Sequence, residues 1–455
     1  MSKVSFLPLN YAEDSRLLMQ CLSELERPVF LDSSGNRNGQ GRFDILSAEP
    51  AAWIQISNGY CHSSDPDIHI SERSIFNSIR ELQRKYILPP EDIQTTESTL
   101  PFQGGLLGYL GYPLLSGKNG LIMQDAYIGA YLWAVVVDHH QQSTTLVLPA
   151  DYPTDQSQRL QHLLSEQKCT IGASDRQFRL LTEFRSQLSR IQYENAFETI
   201  KHFIRAGDCY QVNLAQEVTA KCIGDPFTAY QRLRQAMPAP FSAFIAWPEG
   251  ALLSVSPERF LQKHGKSVLS QPIKGTRPRS EDPNHDQEFA RELQSSEKDR
   301  AENLMIVDLI RNDLGRVCEN RSIVADQLFA LQSFSNVHHL VSSISGQLAP
   351  DRDALDLLMA CFPGGSITGA PKLRSMEIIQ QLEVTPRRAY CGTVFYLSAN
   401  GDLDSSITIR SLLWEAGHLH CWAGGGIVED SESNAEFSEC FDKIALIIKT
   451  LSDES

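Results

Sequence analysis

The sequence predicts an α+β protein with two lobes. The order of the elements indicates the class, and the length indicates the lobes. Segments with helical and strand-like patterns come in blocks along the chain rather than in strict alternation, which favours α+β over a doubly wound parallel sheet. The chain has 455 residues, more than a single hydrophobic core usually serves, so two lobes are expected. A polar stretch at 151–187 is the best place for their boundary. We therefore expect an N-terminal lobe over residues 1–170 and a C-terminal lobe over 185–455, with strands that are free to interleave.

The N-terminal lobe consists mostly of segments typical of short strands. The apolar runs Gly129–Val137 and Thr144–Leu148 flank a polar turn and predict a hairpin. Helical patterns lie at Tyr11–Leu25, Ser71–Lys85 and Ser157–Gln167.

The C-terminal lobe has longer elements. Helical periodicity, helped in one case by a C-cap glycine, predicts five helices. They are Tyr193–Gly207, Gln287–Gly315, Ala354–Cys361, Ala370–Leu382 and Ser433–Leu451. The predicted strands are Val212–Ala220, Phe241–Trp247, Leu252–Ser256, Cys391–Leu397, Ser405–Leu413 and His418–Ala423.

The composition excludes some classes of function. A net charge of −15 argues against a nucleic-acid or anionic-membrane surface, although a local positive site for an anionic substrate remains compatible with it. The ten cysteines form no Cys-x-x-Cys pair, which is typical of reduced thiols in a cytosol. No segment has a signal or membrane-spanning pattern, so we expect a soluble cytoplasmic protein with neither nucleic-acid nor membrane partners.

One lysine has unusual neighbours. Lys274 lies in Pro272–Thr276, between an apolar pair and a glycine. Lysines are mostly exposed, so a surface turn is the ordinary interpretation. If the lysine is desolvated instead, its pKa falls and its neutral amine becomes a nucleophile.

Carboxylates on two predicted helices suggest a cation site. The sequence around Glu302 is apolar on most sides of its helix, so this carboxylate is expected to face the interior. On the C-terminal helix, Glu432, Glu436, Glu439 and Lys443 follow spacings that place them on one face. An internal salt bridge and a solvated face are the alternatives to a shell for Mg²⁺, which prefers carboxylates and water.

Other groups have weaker local signals. Glu258 ends a predicted strand and suits a general acid if its pKa is raised, but a surface pair with Arg259 is equally compatible. Arg410, at the end of an apolar run, suits a carboxylate ligand or a strand-end ion pair. His339 has the ordinary alternative of a core histidine. The glycine-rich turn at 424–426 suits either a turn or an anion site.

Together these motifs resemble the chorismate-utilising enzyme family. The resemblance implies a two-lobed, β-sandwich-like core of antiparallel sheets with helices packed outside. In the N-terminal lobe it rests on GRFDILSAEP (41–50), LPFQGGLLGYLGY (100–112) and AYLWAVVVDHH (130–140). In the C-terminal lobe it rests on SPERF (256–260), PIKGT (272–276), DRAENLMIVDLIRNDLGRV (299–317), VHHLVS (337–342), FPGGSITGAPK (362–372), YCG (390–392), DLDSSITIR (402–410), AGGGIV (423–428) and EFSECFDK (436–443).

The resemblance implies roles for individual residues. Lys274 would attack C2 of chorismate as the C4 hydroxyl departs, and Glu258 would protonate that hydroxyl. Glu302 and Glu439 would hold Mg²⁺. The implied substrate-binding residues are Thr276, His339, Tyr390, Arg410, Gly424, Gly425, Gly426 and Lys443.

The residue before Gly275 distinguishes branches of this family. Relatives that make anthranilate or isochorismate have alanine there, whereas the lysine of this chain resembles the large subunits of 4-amino-4-deoxychorismate synthases, which serve p-aminobenzoate and folate synthesis. No Gly-x-Cys-x-Gly nucleophile motif is present. We therefore expect the ammonia to come from glutamine through a separate glutamine amidotransferase subunit, in a heterodimer.

The family resemblance also implies a pocket for L-tryptophan in the N-terminal lobe. The matching residues are Ser33, Arg42, Phe43, Pro240, Phe241 and Ser242.

Two other functions remain open from the sequence. One is a pyruvate-releasing chorismate enzyme such as anthranilate synthase component I, against which Lys274 argues. The other is a non-catalytic binding scaffold, against which the presence of Glu258, Glu302 and Glu439 argues.

Overall fold

Two large antiparallel sheets form the core of the protein. The computed structural model describes residues 4–34, 41–70, 75–87, 100–116, 120–165, 177–334 and 337–453. Within these residues one sheet has thirteen strands and the other eleven, with ten α-helices beside them. The predicted α+β class with antiparallel sheets is confirmed.

The first sheet draws strands from both halves of the sequence. Strands and helices are numbered in chain order. In spatial order the sheet contains β1 (Val4–Leu9), β11 (Ser143–Pro149), β10 (Ala134–Asp138), β3 (Phe43–Ser47), β2 (Val29–Asp32), β15 (Phe241–Trp247), β16 (Gly250–Ser256), β25 (Ser411–Glu415), β26 (His418–Ile427), β14 (Gln211–Ile223) and β12 (Arg179–Leu180), with β13 (Arg185–Ser186) and β22 (Gly369–Ala370) also paired to β14.

The second sheet is equally mixed. Its spatial order is β19 (Ile273–Pro278), β21 (Val337–Gln347), β18 (Ser267–Gln271), β17 (Arg259–His264), β24 (Leu403–Ile407), β23 (Thr393–Ser398), β6 (Gly105–Leu110), β9 (Ala126–Tyr131), β4 (Ala52–Ser57) and β5 (Tyr60–Ser63), with β20 (Val324–Ser333) on β21. A small separate hairpin joins β7 (Leu114–Ser116) to β8 (Gly120–Ile122).

The helices accompany the sheets. They are α1 (Ser15–Leu22), α2 (Ile75–Tyr86), α3 (Thr154–Ser165), α4 (Arg190–Arg205), α5 (Pro226–Ala236), α6 (Pro283–Ser295), α7 (Glu297–Leu314), α8 (Ala354–Cys361), α9 (Lys372–Leu382) and α10 (Ser433–Ser452). Among these described helices, none is long and apolar enough to cross a bilayer. The first four residues of the predicted helix Ser71–Lys85 and the last two of Ser157–Gln167 lie outside the described residues.

Aromatic rings join the two sheets. Trp247 of β15 stacks on Tyr109 of β6 and Tyr127 of β9, with ring centroids 5.9 and 6.2 Å apart. All three side chains are buried. The apolar faces of the two sheets therefore share one core, as in a sandwich.

Two predicted strands are wrong because each is divided between the sheets. The run Gly129–Val137 contains the end of β9 in the second sheet and the start of β10 in the first. The hairpin of β10 with β11 is as predicted. The run Ser405–Leu413 breaks in the same way at Arg410, which has φ of +51°. Since the runs are apolar on both sides of each break, hydrophobicity alone did not mark the crossings.

The predicted long helix Gln287–Gly315 is also wrong. It consists of α6 and α7, separated at Ser296, whose backbone is extended. The Ser296 hydroxyl accepts a hydrogen bond from the backbone N–H of Asp299 at 3.2 Å and so caps the second helix. Similarly, α9 begins at Lys372 rather than at Ala370, which pairs in β22.

Candidate active site

Lys274 and Glu258 meet through a single serine. The Lys274 Nζ donates to the backbone carbonyl of Ser366 at 3.2 Å. The Ser366 hydroxyl donates to Oε1 of Glu258 at 2.8 Å. Glu258 lies between β16 and β17 and is buried, whereas Lys274 on β19 is half-buried. Lys274 is therefore partly withdrawn from solvent rather than fully exposed in a surface turn.

The environments of these two groups shift both pKa values towards neutrality. Burial raises the pKa of Glu258 to about 7, although the hydroxyl of Ser366 and the charge of Lys274 oppose the increase. Burial lowers the pKa of Lys274, against the opposing carboxylates of Glu302 and Glu258. Near neutral pH the carboxyl group can therefore donate a proton, and the neutral amine is more accessible than in an exposed lysine.

Carboxylates on two helices surround the lysine. Glu302 of α7 is half-buried, and burial raises its pKa. Glu436 of α10 is buried, accepts a hydrogen bond from Ser431 at 2.7 Å, and has its pKa raised by burial. Glu439 is exposed and pairs with Lys443 at 2.7 Å. Burial opposes ionisation of Glu439, but Lys443 and other lysines hold its pKa below the ordinary value.

These acids do not form a complete metal shell by themselves. Within the described residues, no three His, Cys, Asp or Glu side chains converge closely enough to hold a metal ion. Mg²⁺ usually keeps several waters and needs only one or two carboxylates from the protein. Glu302, Glu436 and Glu439 supply the carboxylate oxygens that a hard cation prefers, and a cation bound beside them would stabilise the ionised forms that burial disfavours at Glu302 and Glu436.

The glycines at 424–426 form an uncovered strand segment beside these acids. They lie on β26 and pair with β14, while β25 pairs with β26 only as far as Cys421. The carbonyl of Gly424 accepts from Lys443 at 2.9 Å. A Cβ atom at Gly425 would lie 2.9 Å from Oε2 of Glu436. Glycine at this position therefore allows the Glu436 carboxylate to approach the strand closely.

Arg410 is a cation to which the described part of the chain offers no partner. It lies at the crossing between β24 and β25, and its guanidinium forms no hydrogen bond or ion pair with any described residue. Burial lowers its pKa, but a guanidinium remains charged. A half-buried unpaired arginine is suited to a carboxylate ligand.

His339 lies near this arginine and stays neutral. Its Nδ1 is 2.8 Å from the hydroxyl of Thr276, and its buried Nε2 has no hydrogen-bond partner among the described residues. Burial, together with the charge of Arg410, lowers the pKa of His339 to about 3. Thr276 is exposed on β19 and orients the ring. The ring therefore offers a hydrogen-bonding group without charge.

Tyr390 is a buried aromatic wall. Its ring stacks on Trp422 of β26, with centroids 6.4 Å apart and planes 10° apart. Trp422 precedes Gly424 by two positions on β26. The predicted substrate-binding residue Tyr390 therefore packs against the strand that carries the glycines.

Sequence reasoning missed two polar residues that support the site. Asn213 of β14 donates through Nδ2 to the carbonyl of Ser366 at 3.3 Å, and Gln211 donates to Asn213 Oδ1 at 2.9 Å. The other amide atom of Gln211, Oε1, is buried without a described partner. The available signal was a pair of polar residues with period two in a largely buried strand.

A separate cavity of about 500 Å³ opens between the two sheets. Five predicted tryptophan-pocket residues line it: Arg42, Phe43, Pro240, Phe241 and Ser242. Arg42 pairs with Asp138 at 2.6 Å. The sixth residue, Ser33, is buried outside the lining, where its amide and hydroxyl both donate to Asp44 at 2.7 Å.

Comparisons with known proteins identify the family. The sequence profile of the chorismate binding enzyme family matches residues 29–449. The chain is 42% identical over 440 residues to aminodeoxychorismate synthase component 1 of Escherichia coli (strain K12), covering 94% of each chain. It is 31% identical over 450 residues to anthranilate synthase component 1 of Methanothermobacter thermautotrophicus, covering 97% of this chain and 93% of the relative.

Solved structures show the same fold. Anthranilate synthase component I from Streptococcus pneumoniae TIGR4 superposes with a TM-score of 0.76 at 29% sequence identity, covering 89% of this chain and 92% of that one. The predicted resemblance is confirmed, and the protein belongs to the family of chorismate binding enzymes.

Proposed function

We propose that this protein is the large component of a 4-amino-4-deoxychorismate synthase. It converts chorismate and ammonia to 4-amino-4-deoxychorismate, in the branch that leads to p-aminobenzoate and folate. One observation carries the proposal: Lys274 reaches Glu258 through Ser366 inside a site that offers an unpaired arginine. The 42% identity to an aminodeoxychorismate synthase component 1 supports the same branch.

The geometry accounts for the first half of the reaction. The neutral amine of Lys274 attacks C2 of chorismate, the ring double bond shifts, and the C4 hydroxyl leaves. Glu258 supplies the proton that turns this hydroxyl into water, so Glu258 becomes a carboxylate and the new amine carries a positive charge. The raised pKa of Glu258, about 7, keeps that proton available.

The second half reverses the bond changes. Ammonia attacks C4, the bond between C2 and the lysine nitrogen breaks, and Lys274 leaves as a neutral amine. The ammonium group formed at C4 transfers its extra proton to the Glu258 carboxylate, which restores the acid. The Oε1 of Gln211, which has no partner among the described residues, is a buried acceptor next to Asn213 and would suit the N–H groups of incoming ammonia.

The substrate carboxylates need positive partners in a protein of net charge −15. Arg410, the strand segment Gly424–Gly426 and the phenol of Tyr390 would bind one carboxylate, with His339 and Thr276 along the wall. Lys443 bonds to Gly424 at the edge of the same surface. Preorganised donors of this kind stabilise an anion at little reorganisation cost.

We propose Mg²⁺ as the cofactor, held by Glu302 and Glu439 with Glu436 beside them. Bound there, the cation would offset the charge of a substrate carboxylate. Calorimetric titration of Mg²⁺ should show binding that Glu302→Gln weakens by about tenfold or more. Glu297→Gln, at the start of the same helix, is the matched control and should leave it unchanged. Equal binding to both variants would contradict this assignment.

We propose two further ligands. The first is a separate glutamine amidotransferase subunit, which co-elution and glutamine-dependent activity would test; absence of both would reject it.

The second is L-tryptophan in the cavity lined by Arg42 and Phe241, whose volume of about 500 Å³ lies in the usual range for ligand pockets. Calorimetry on protein shown to be free of tryptophan tests it, and no heat of binding would reject it.

Product identification tests the main proposal. Purified protein is incubated with chorismate, ammonium and Mg²⁺, and the products are identified by mass spectrometry. We expect an amine that retains the enolpyruvyl group, with no pyruvate released. Released pyruvate would instead indicate an anthranilate synthase type of reaction.

A further inference from the structure

Ser366 controls both reacting groups, so whatever fixes Ser366 also fixes them. It lies in a single 3₁₀ turn, Gly365–Ile367, which leads into β22. Its hydroxyl holds Glu258 and its carbonyl holds Lys274. A displacement of this turn would therefore change two catalytic contacts together.

A buried arginine clamps this turn to β14. The Nη1 of Arg387 donates to the carbonyl of Ile367 at 2.8 Å, and its Nη2 donates to the carbonyl of Asn213 at 2.8 Å. The backbone N–H of Asn213 donates to the carbonyl of Thr368 at 2.9 Å. Arg387 thus connects Ile367, the residue that follows Ser366, with β14.

Glu383 completes the clamp. It pairs with Arg387 at 2.7 Å, with the arginine side chain 1% and the glutamate side chain 7% exposed. Its Oε1 also accepts from the backbone N–H of Ala215 on β14 at 2.9 Å. A buried ion pair is weak grounds for stability, because desolvation offsets most of its attraction. All three guanidinium nitrogens of Arg387 nevertheless donate hydrogen bonds, and a contribution to stability does not explain this arrangement.

We propose that Arg387, with Glu383, is a positioning residue for catalysis, which fixes the Gly365–Ile367 turn against β14 and through Ser366 sets the relative positions of Glu258 and Lys274. This inference rests on the proposed function. Arg387 itself does not contact the reacting atoms; it acts through Ser366. Lysine would not replace it, because one ammonium group lacks the planar fork that reaches two carbonyls and a carboxylate.

The titration of Glu258 provides the readout. The groups that face it are Ser366, Lys274, the backbone of Ile273, the thiol of Cys391 and, across a water-sized cavity, Asp313. Among these, the Ser366 hydroxyl and Lys274 depend on the turn, because Ser366 binds Glu258 through its hydroxyl and Lys274 through its carbonyl. Both the hydrogen bond from Ser366 and the charge of Lys274 favour the ionised carboxylate of Glu258, so a displaced turn raises the pKa of Glu258 and moves the basic limb of kcat to higher pH.

The experiment compares Arg387→Lys with Arg388→Lys. Arg388 is the neighbouring arginine, also buried, but its partners are Asp125 and Glu415. We expect Arg387→Lys to lower kcat about tenfold or more, to change the KM for chorismate less than about twofold, and to move the basic limb upward. Arg388→Lys should lower the melting temperature without moving the limb. If Arg387→Lys fails to fold, Glu383→Gln replaces it, with the same expected direction.

Non-additivity gives the decisive result. In a Ser366→Ala background, Arg387→Lys should have a smaller effect on kcat than in the wild type, because its route to Glu258 through the hydroxyl is lost while its route to Lys274 through the backbone carbonyl of residue 366 remains. Fully additive effects, or a limb that stays in place in Arg387→Lys, would overturn the inference. The proposed function fails separately, if the wild type makes no aminated chorismate. In that case carboxyl NMR titration of Glu258 in the same variants still tests the positioning, and an unchanged pKa would refute it.

Discussion

Replacing Glu258 by glutamine is expected to make the protein more stable at alkaline pH while it removes activity. Glutamine has nearly the same shape as the protonated acid, and it accepts the same hydrogen bond from Ser366 that Oε1 accepts at 2.8 Å. Glu258 is almost fully buried, with 5% of its surface exposed, so its charged form is costly. The protein therefore carries an acid that weakens the fold once it ionises.

The size of this effect follows from the pKa. The ordinary value of 4.5 applies in the unfolded chain, and burial raises the pKa to about 7 in the folded protein. The folded state therefore holds this proton more tightly than the unfolded state. The protonated Glu258 makes its full contribution to the free energy of unfolding below about pH 4.5. This contribution decreases as the pH rises towards 7 and is lost above pH 7. Between pH 5 and pH 8 the loss amounts to about 2.5 kcal/mol.

The same difference in pKa explains the catalytic role. At pH 7 a carboxyl group of ordinary pKa is protonated in about 0.3% of molecules, whereas Glu258 is protonated in about half. General acid catalysis is typically worth about 10²- to 10⁴-fold, so Glu258→Gln should lower kcat by that factor. Wild-type kcat should decline above about pH 7 as the acid ionises.

Denaturant unfolding at pH 5 and pH 8 measures the stability difference. We expect the free energy of unfolding of Glu258→Gln, relative to wild type, to increase by about 2.5 kcal/mol between these two pH values. Glu194→Gln removes one charge from an exposed side chain and corrects for the change in net charge. If the relative stability of Glu258→Gln does not change between pH 5 and pH 8, the carboxyl group is not neutral in the folded protein and the reasoning is refuted.

Three other substitutions test separate parts of the site. Lys274→Ala should abolish any covalent adduct seen by mass spectrometry and lower product formation by about 100-fold or more, and undiminished turnover would rule out Lys274 as nucleophile. Arg410→Met should raise the KM for chorismate about tenfold or more without loss of unfolding free energy, because it removes an unpaired cation; an unchanged KM would contradict its role. Gly425→Ala places a methyl group 2.9 Å from Glu436, so it should cost about 1–3 kcal/mol of stability and weaken chorismate binding in calorimetry. Gly265→Ala is the control, because open space surrounds Gly265, and it should leave chorismate binding unchanged.

The sequence predicted most of the described helices because their periodicity and caps are local, but it missed α5 and gave no bounds for β17 to β22. Ala354–Cys361 begins and ends where it was predicted, since Asp353 forms a capping box with Asp356. The site residues were recognised through ordered motifs rather than through geometry. Ser366 and Arg387 were not singled out, because their importance depends on contacts between segments distant in the chain, such as the 108 positions between Ser366 and Glu258.

Two of the crossings between the sheets carry site residues, and one of these coincides with a wrong prediction. The chain leaves the first sheet at Ser256 and enters the second at Arg259, and Glu258 lies in that step. It returns from the second sheet at Ile407 and enters the first at Ser411, and Arg410 lies in that step.

Hydrogen bonds hold these crossings together. The hydroxyl of Ser256 donates to the carbonyl of Ile407 at 2.6 Å, and the N–H of Ile407 donates to the carbonyl of Glu258 at 3.1 Å. The N–H of Val255 donates to the carbonyl of Arg410 at 3.1 Å. A residue at a crossing has no strand on one side, so its side chain can face the space between elements instead of a sheet face. The predicted run Ser405–Leu413 continues through the crossing at Arg410 and concealed that break, whereas the predicted strand Leu252–Ser256 ends where β16 ends. The same breaks place the acid and the unpaired cation on adjacent, mutually bonded segments of backbone.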